Sequence, residues 1–244
     1  MTLAPLYIGL SLCMAAFAFS FAGFGYGLVA VPLLALVLPV KMAVAIQFPF
    51  GVLLVLLNTW RYGRTLEWQN LKPLLLGAAI AIPLGVFSLN WFSEIVMKRA
   101  LALFIVLTVL SARNKSGERI IHGFAATATG GTVLGIISGW FIGAYTAGGP
   151  PAVIYAMARF SDVEKAKGIM GIYFLITDIA IVILFYFTDV LTLGTLMESI
   201  VYTPAVVVGF LVGAVSLKRV SYRGYMVGVH VLLLIAAGML WFVH

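Results

Sequence analysis

Apolar runs separated by short polar connections recur along the whole chain. A run of about 18 or more apolar residues is long enough to cross a bilayer as a helix. Ten apolar segments are predicted, at 4–22, 25–40, 42–60, 71–91, 95–112, 120–142, 147–160, 168–187, 195–217 and 224–243. Most hold 18–23 residues, but the second has 16 and the seventh 14. Both short segments lie beside glycines, in "FAGFGYGLVAVPL" (21–33) and "AGGPPAVIY" (147–155). Glycine and proline weaken or bend helices, so each short segment is an interrupted one.

Composition agrees with the pattern. Of 244 residues, 63% are hydrophobic and 9% charged, against about 25% charged in soluble domains. The chain is therefore an all-α integral membrane protein. No long polar stretch adds a soluble domain, so one transmembrane domain is expected. No Lys or Arg precedes Lys41, and a cleaved signal needs a basic start, so the first segment reads as retained. Cys13 is the single cysteine and excludes an intrachain disulfide; inside an apolar run it reads as a packing residue.

The net charge of +7 suggests nucleic acid in a soluble protein, but orientation in a bilayer explains it better here. Lys and Arg concentrate in cytoplasmic loops. Four connections hold twelve of the 15 basic residues: Arg61, Arg64 and Lys72; Arg113, Lys115 and Arg119; Arg159, Lys165 and Lys167; Lys218, Arg219 and Arg223. Lys41, Lys98 and Arg99 remain. The connection around Asp189 and Glu198 has no basic residue and should face outside. These placements agree only if both short segments cross, which leaves both termini outside. All five tryptophans, at 60, 68, 91, 140 and 241, are expected near segment ends, as in an aromatic belt.

The two halves look related. "VFSLNWFS" (86–93) matches "AVSLKRVS" (214–221) at an offset of 128. "GYGLVAVP" (25–32) falls against "GGPPAVIY" (148–155), and "KMAVAIQFPF" (41–50) against "EKAKGIMGIY" (164–173), both at 123. Five crossings per half is an odd number, so the repeat 115–244 is expected to be inverted relative to 1–114. Short, interrupted segments at matching places in inverted repeats point to a transporter site. With "GFGYGLVAVP" and "AGGPPAVIY" as its two glycine turns, the chain resembles the TauE/SafE sulfite-exporter family over essentially its whole length. In the first turn Tyr26 takes the middle place of the usual glycine triplet. The resemblance implies export of sulfite or a small organosulfur anion across a bacterial inner membrane.

The interruptions carry the candidate chemistry. A helix that starts part-way through the membrane presents free N–H groups and a partial positive charge, which suits an anion. The expected substrate-binding residues are Gly23, Gly25, Tyr26 and Gly27 in the first turn and Tyr145, Thr146, Gly148, Gly149 and Pro150 in the second. Pro150 and Pro151 fit a first helical turn but remove two donors, so the first turn should supply more hydrogen bonds. Close helix packing is the competing explanation for the glycines. Asp178 is the one carboxylate deep in a segment, where charge is costly; it is either a structural carboxyl or a proton-coupling group, and His230 is a partner for it, a separate relay or a structural residue. Gln47, which follows the first turn, either faces the site or, like Asn58, hydrogen-bonds between helices.

No catalytic set, metal-ligand cluster or phosphate loop is apparent, so an enzyme, a cofactor and a built-in ATPase are not expected. The partners expected are a small anion and the lipid bilayer, not nucleic acid, and no motif specifies an oligomeric state. Three functions compete: a secondary anion transporter, a passive anion channel and a non-transporting membrane subunit.

Overall fold

The computed structural model describes residues 3–62, 68–113, 123–160, 162–216 and 222–242. It is helical throughout, with no strand among the described residues. The helices are α1 (Leu3–Ala22), α2 (Tyr26–Leu34), α3 (Val40–Tyr62), α4 (Trp68–Trp91), α5 (Glu94–Arg113), α6 (Ala128–Tyr145), α7 (Gly149–Arg159), α8 (Val163–Phe187), α9 (Leu193–Ile200), α10 (Thr203–Ser216) and α11 (Tyr222–Phe242). Stretches Leu3–Phe21, Val40–Trp60, Trp68–Trp91 and Glu164–Phe187 are each long and apolar enough to cross a membrane; α9 and α10 together make a fifth. Arg64, Lys115, Arg119, Lys218 and Arg219, which enter the orientation argument, lie outside the described residues, as do His122 and His244.

Where helix ends depart from the apolar runs, the local sequence explains it. The second segment is helical only over the nine residues of α2. Residues 35–38 tighten into turns, with Leu36 and Val37 bonding three residues back, because the position before Pro39 disfavours helical backbone. The eighth segment starts earlier than its apolar run, at Val163, because the Asp162 carboxylate accepts the Glu164 N–H at 2.8 Å and caps the helix. The ninth is not one helix. Pro204 cannot donate a backbone bond and its ring opposes the carbonyl four residues back, at Ile200, where α9 ends; the axis bends by 53°.

The chain forms two compact units. The first contains residues 1–51, 92–110 and 191–244, hence α1, α2, the first half of α3, most of α5, and α9 to α11. Here α1 packs along α10, and α2 is buried over all nine of its residues beside α1 and α11. The Tyr7 hydroxyl donates to the Leu33 carbonyl at 3.0 Å, tying α2 to α1. The basic residues outside the four clusters are engaged locally. Glu94 accepts the Val40 N–H at 2.9 Å and pairs with buried Lys98 at 3.6 Å, while the Arg99 guanidinium lies over the Trp241 ring at 5.6 Å.

The second unit contains residues 52–91 and 111–190, with α4 packed along α6. Gly131, Gly135, Gly139 and Gly143 recur every four residues and so share one face of α6. Added Cβ atoms would strike the α4 backbone at three of them and the Tyr155 ring and Pro73 at Gly131: at Gly139 the nearest atom is Ala78 Cα at 2.6 Å, and at Gly135 it is the Leu74 carbonyl. Gly77 and Gly85 of α4 answer with equally close approach to Thr132 and Trp140. This is dispersion-driven contact of small residues, the means available when lipid is as apolar as the side chains. The opposite face of α4 exposes Leu76, Ile80, Leu84, Phe87 and Trp91, a stripe suited to lipid.

The first unit repeats this contact. Gly213 of α10 lies against the Phe17 carbonyl and Ser20 of α1, as Gly85 of α4 lies against the Trp140 carbonyl and Gly143 of α6. Gly85 and Gly213 are 128 residues apart, and Phe17/Trp140 and Ser20/Gly143 are each 123 apart, the same two offsets found in the sequence. Of the tryptophans, 60, 68, 91 and 241 are exposed at or near helix ends; Trp140 departs from a simple belt by packing against Phe141 and Tyr145.

The packing predicts opposite outcomes for two glycine changes. Gly135→Ala must push α4 off α6, and purified protein should melt lower by at least several degrees or fail to run as a single species. Gly238→Ala, where nothing lies within 4 Å of an added Cβ, should be neutral or gain up to about 1 kcal/mol from helix propensity. Equal melting temperatures for the two variants would contradict the glycine interface.

Candidate functional site

The first turn belongs to the first unit. Gly23 and Gly25 adopt positive φ, 75° and 83°, a region that glycine alone enters without strain. The Gly23 N–H closes α1 on the Phe19 carbonyl at 2.7 Å, and Gly25 then opens α2 with no side-chain cap. The Val29 N–H bonds back to Gly25 at 3.3 Å, but the N–H groups of Tyr26, Gly27 and Leu28 have no acceptor among the described residues. All three residues are buried. The Tyr26 hydroxyl is also buried, and it is the one buried side-chain polar atom among the described residues without a hydrogen-bond partner.

The depth of this turn follows from α3. A Cβ at Gly51 would lie 3.6 Å from Tyr26 Cδ1 and 3.7 Å from Gln47 Oε1. Gly51 falls near the middle of the 21-residue apolar stretch Val40–Trp60. The N-terminus of α2 is therefore beside the centre of a membrane-length helix, where free donors have no water to turn to.

The second turn belongs to the second unit and is built differently. Thr146 has φ 51°, its N–H bonds to the Ile142 carbonyl at 2.7 Å, and its hydroxyl bonds to the adjacent Tyr145 carbonyl at 2.6 Å. Gly148 precedes α7 and packs against the Ser138 carbonyl, so its missing side chain is required by packing. A buried chain of hydroxyls secures it: Tyr173 donates to Ser138 at 3.0 Å, and Ser138 donates to the Gly148 carbonyl at 2.7 Å. Gly149, Pro150 and Pro151 form the first turn of α7, where the prolines supply no N–H. The Tyr145 ring is fully buried against Trp140 and Phe141, and the Tyr155 hydroxyl bonds to the Asn70 carbonyl.

The structure thus brings Gly23, Gly25, Tyr26 and Gly27 together in one unit and Tyr145, Thr146, Gly148, Gly149 and Pro150 in the other. Asp178 lies within α8 of the second unit, half-buried, with no hydrogen bond or ion pair among the described residues. His230 lies half-buried in α11 of the first unit. Ser138 and Tyr173 were not picked out by the sequence. Their signal is a hydroxyl within a glycine ladder and a tyrosine ten residues after a helix start, both easily taken for packing.

An apolar chain that is all-helical among the described residues, with four or five spanning helices, defines a multi-pass membrane protein. The family profile "Sulfite exporter TauE/SafE" matches residues 8–240, and the chain belongs to that family. Membership places it among membrane transporters for sulfite and related anions, in agreement with a non-enzymatic role. No curated protein and no solved structure matches the chain.

The hydroxyl chain carries its own prediction. Ser138→Ala should cost about 1–3 kcal/mol, because it strands both the Gly148 carbonyl and the Tyr173 hydroxyl. Tyr173→Phe alone should cost less, and in the Ser138→Ala background should cost nothing further. Thermal or denaturant unfolding of the four proteins in detergent tests the coupling; additive losses would show that the two hydroxyls act independently.

Proposed function

We propose that this chain is a secondary transporter that exports sulfite or a small organosulfur anion across a bacterial inner membrane. The anion is held by the glycine turns: Gly23, Gly25, Tyr26 and Gly27 in the first, and Tyr145, Thr146, Gly148, Gly149 and Pro150 in the second. The observation that carries the reading is the N-terminus of α2, where buried Tyr26, Gly27 and Leu28 stand beside the middle of a membrane-length helix and their N–H groups have no acceptor among the described residues. Donors in that setting are stable only with an acceptor, and an anion also gains from the helix dipole. The first turn contributes more donors than the second because of the prolines.

The same reading takes the chain across the membrane ten times, as repeats 1–114 and 115–244 of opposite orientation, with both termini outside. Three coincidences support it. Gly25 and Gly148, which precede the two short helices, are 123 residues apart. The α1–α10 and α4–α6 contacts correspond under the two sequence offsets. Helices α1 to α5 also follow the same order of long, short and long elements as α6 to α11 once α9 and α10 are counted as one bent span. Asp178 is the proposed proton-coupling group, because it is a mid-segment carboxyl without a partner among the described residues; His230 is a second relay.

Transport of sulfite in proteoliposomes tests the function. Accumulation driven by an imposed pH gradient is expected; dissipation alone would make the protein a channel, and no flux would make it a non-transporting subunit. Asp178→Asn keeps the shape of the carboxyl but cannot release a proton, so it should retain anion exchange and lose accumulation. A wild-type response to the pH gradient in that variant would assign Asp178 a structural role. For the orientation, single cysteines at Thr65 and Thr192 in a Cys13→Ala background should label from opposite sides. Labelling from one side would contradict the ten-crossing arrangement.

A further inference from the structure

Tyr26 is the residue by which the first turn differs from a plain glycine turn, and its counterpart 123 residues on is Gly149, which has no side chain. It is the first residue of α2, and side chains on a helix lean toward its N-terminus. Tyr26 thus stands at the end of α2 where the N–H groups of Tyr26, Gly27 and Leu28 have no acceptor among the described residues, with its ring beside Gly51. Gly51 is uncrowded there: an added Cβ would make only ordinary contacts with Tyr26 and Gln47. Gly25 is similarly open, with Leu28 Cβ at 4.0 Å as the nearest atom to an added Cβ. These two glycines are unlike those of the α4–α6 interface, which are filled by backbone.

A buried hydroxyl with no partner is destabilising, and here neither its proton nor the three neighbouring N–H groups find an acceptor among the described residues. A group that satisfies all of them must offer several acceptors. The tyrosine oxygen stands a full ring away from its own backbone. Donors that far apart are bridged better by an ion with several separated oxygens than by a single atom.

We infer that Tyr26 determines specificity for oxyanions. Its hydroxyl donates to one oxygen of a sulfite- or sulfonate-like ion, while the N–H groups of Tyr26, Gly27 and Leu28 hold the others, so halides are bound less well. This rests on the reading of the α2 N-terminus as an anion site.

The test uses the full chain in detergent, with sodium sulfite, sodium methanesulfonate and sodium chloride as titrants at constant ionic strength. Wild-type protein should bind the two oxyanions more tightly than chloride. Tyr26→Phe removes an unpartnered oxygen and keeps the ring, so without added anion it should melt at the same temperature or higher. Its affinity for sulfite and methanesulfonate should fall about tenfold or more, the loss expected for a hydrogen bond to a charged group, with chloride affinity unchanged. Undiminished oxyanion affinity in the variant would overturn the role of Tyr26, and so would an equal loss for all three anions. A lower melting temperature or failure to fold without anion would show instead that the hydroxyl serves the protein's own structure. If wild-type protein binds none of the oxyanions and moves no sulfite in proteoliposomes, the anion-site reading itself falls. If wild-type moves sulfite and only the Tyr26→Phe result disagrees, that reading stands without this residue.

Discussion

A backbone N–H inside hydrocarbon has no water to bond, and leaving it unpaired and buried costs several kcal/mol. A chain that crosses as an unbroken helix avoids this everywhere except at its ends, which lie in the polar interface. This protein breaks a helix between Ala22 and Tyr26 and so moves one such end inward, to the level of Gly51. The rest of the first unit is arranged around that choice. Helix α2 is apolar on every side and buried on every side, which keeps lipid from the exposed donors. Tyr7 holds one end of α2, and two positive-φ glycines turn the chain at the other.

Bringing short helices into a bundle requires the long ones to pack tightly without a hydrophobic driving force. Glycine meets that need at α1–α10 and at α4–α6, where it lets the facing backbones approach closely. The two contacts differ in detail. Four evenly spaced glycines on α6 give a longer close approach, whereas α1 presents Cys13, Phe17 and Ser20 to two glycines of α10. The turns differ in the same way. One leaves three N–H groups and a hydroxyl without acceptors; the other is fastened by Tyr173 and Ser138 and loses donors to two prolines. The two turns thus differ in how many unpaired donors they present.

Much of this was legible in the residues. Apolar run lengths marked most of the long helices within a few positions, since hydrocarbon demands about 20 apolar residues whatever the tertiary fold, but α6 begins at Ala128 rather than 120 and the ninth run holds two helices. The short second and seventh segments flagged the interruptions because Gly23, Gly25 and Pro150 act through local backbone geometry. What was not legible depended on contacts across the chain. Pro204 lies inside an apolar run without polar punctuation, so the α9–α10 bend gave no compositional signal. Ser138 looked like another small residue among glycines until Tyr173, 35 positions later, was found beside it. Lys98 stood apart from the basic loops, and only the fold supplied Glu94 and the start of α3 as the reason.

The sequence by itself determined that the protein is helical, membrane-embedded and interrupted at two places, because hydropathy, helix length and glycine or proline geometry are local properties. The tertiary structure decided which glycines are packing surfaces and which leave room. Gly148 and Gly25 are alike in the sequence, but one is pressed against the Ser138 carbonyl and the other faces open space. It also decided that the Tyr26 hydroxyl is left without a partner while those of Tyr155 and Tyr173 are not. A hydroxyl's satisfaction depends on atoms from other helices, and no periodicity in one segment encodes where those atoms will stand.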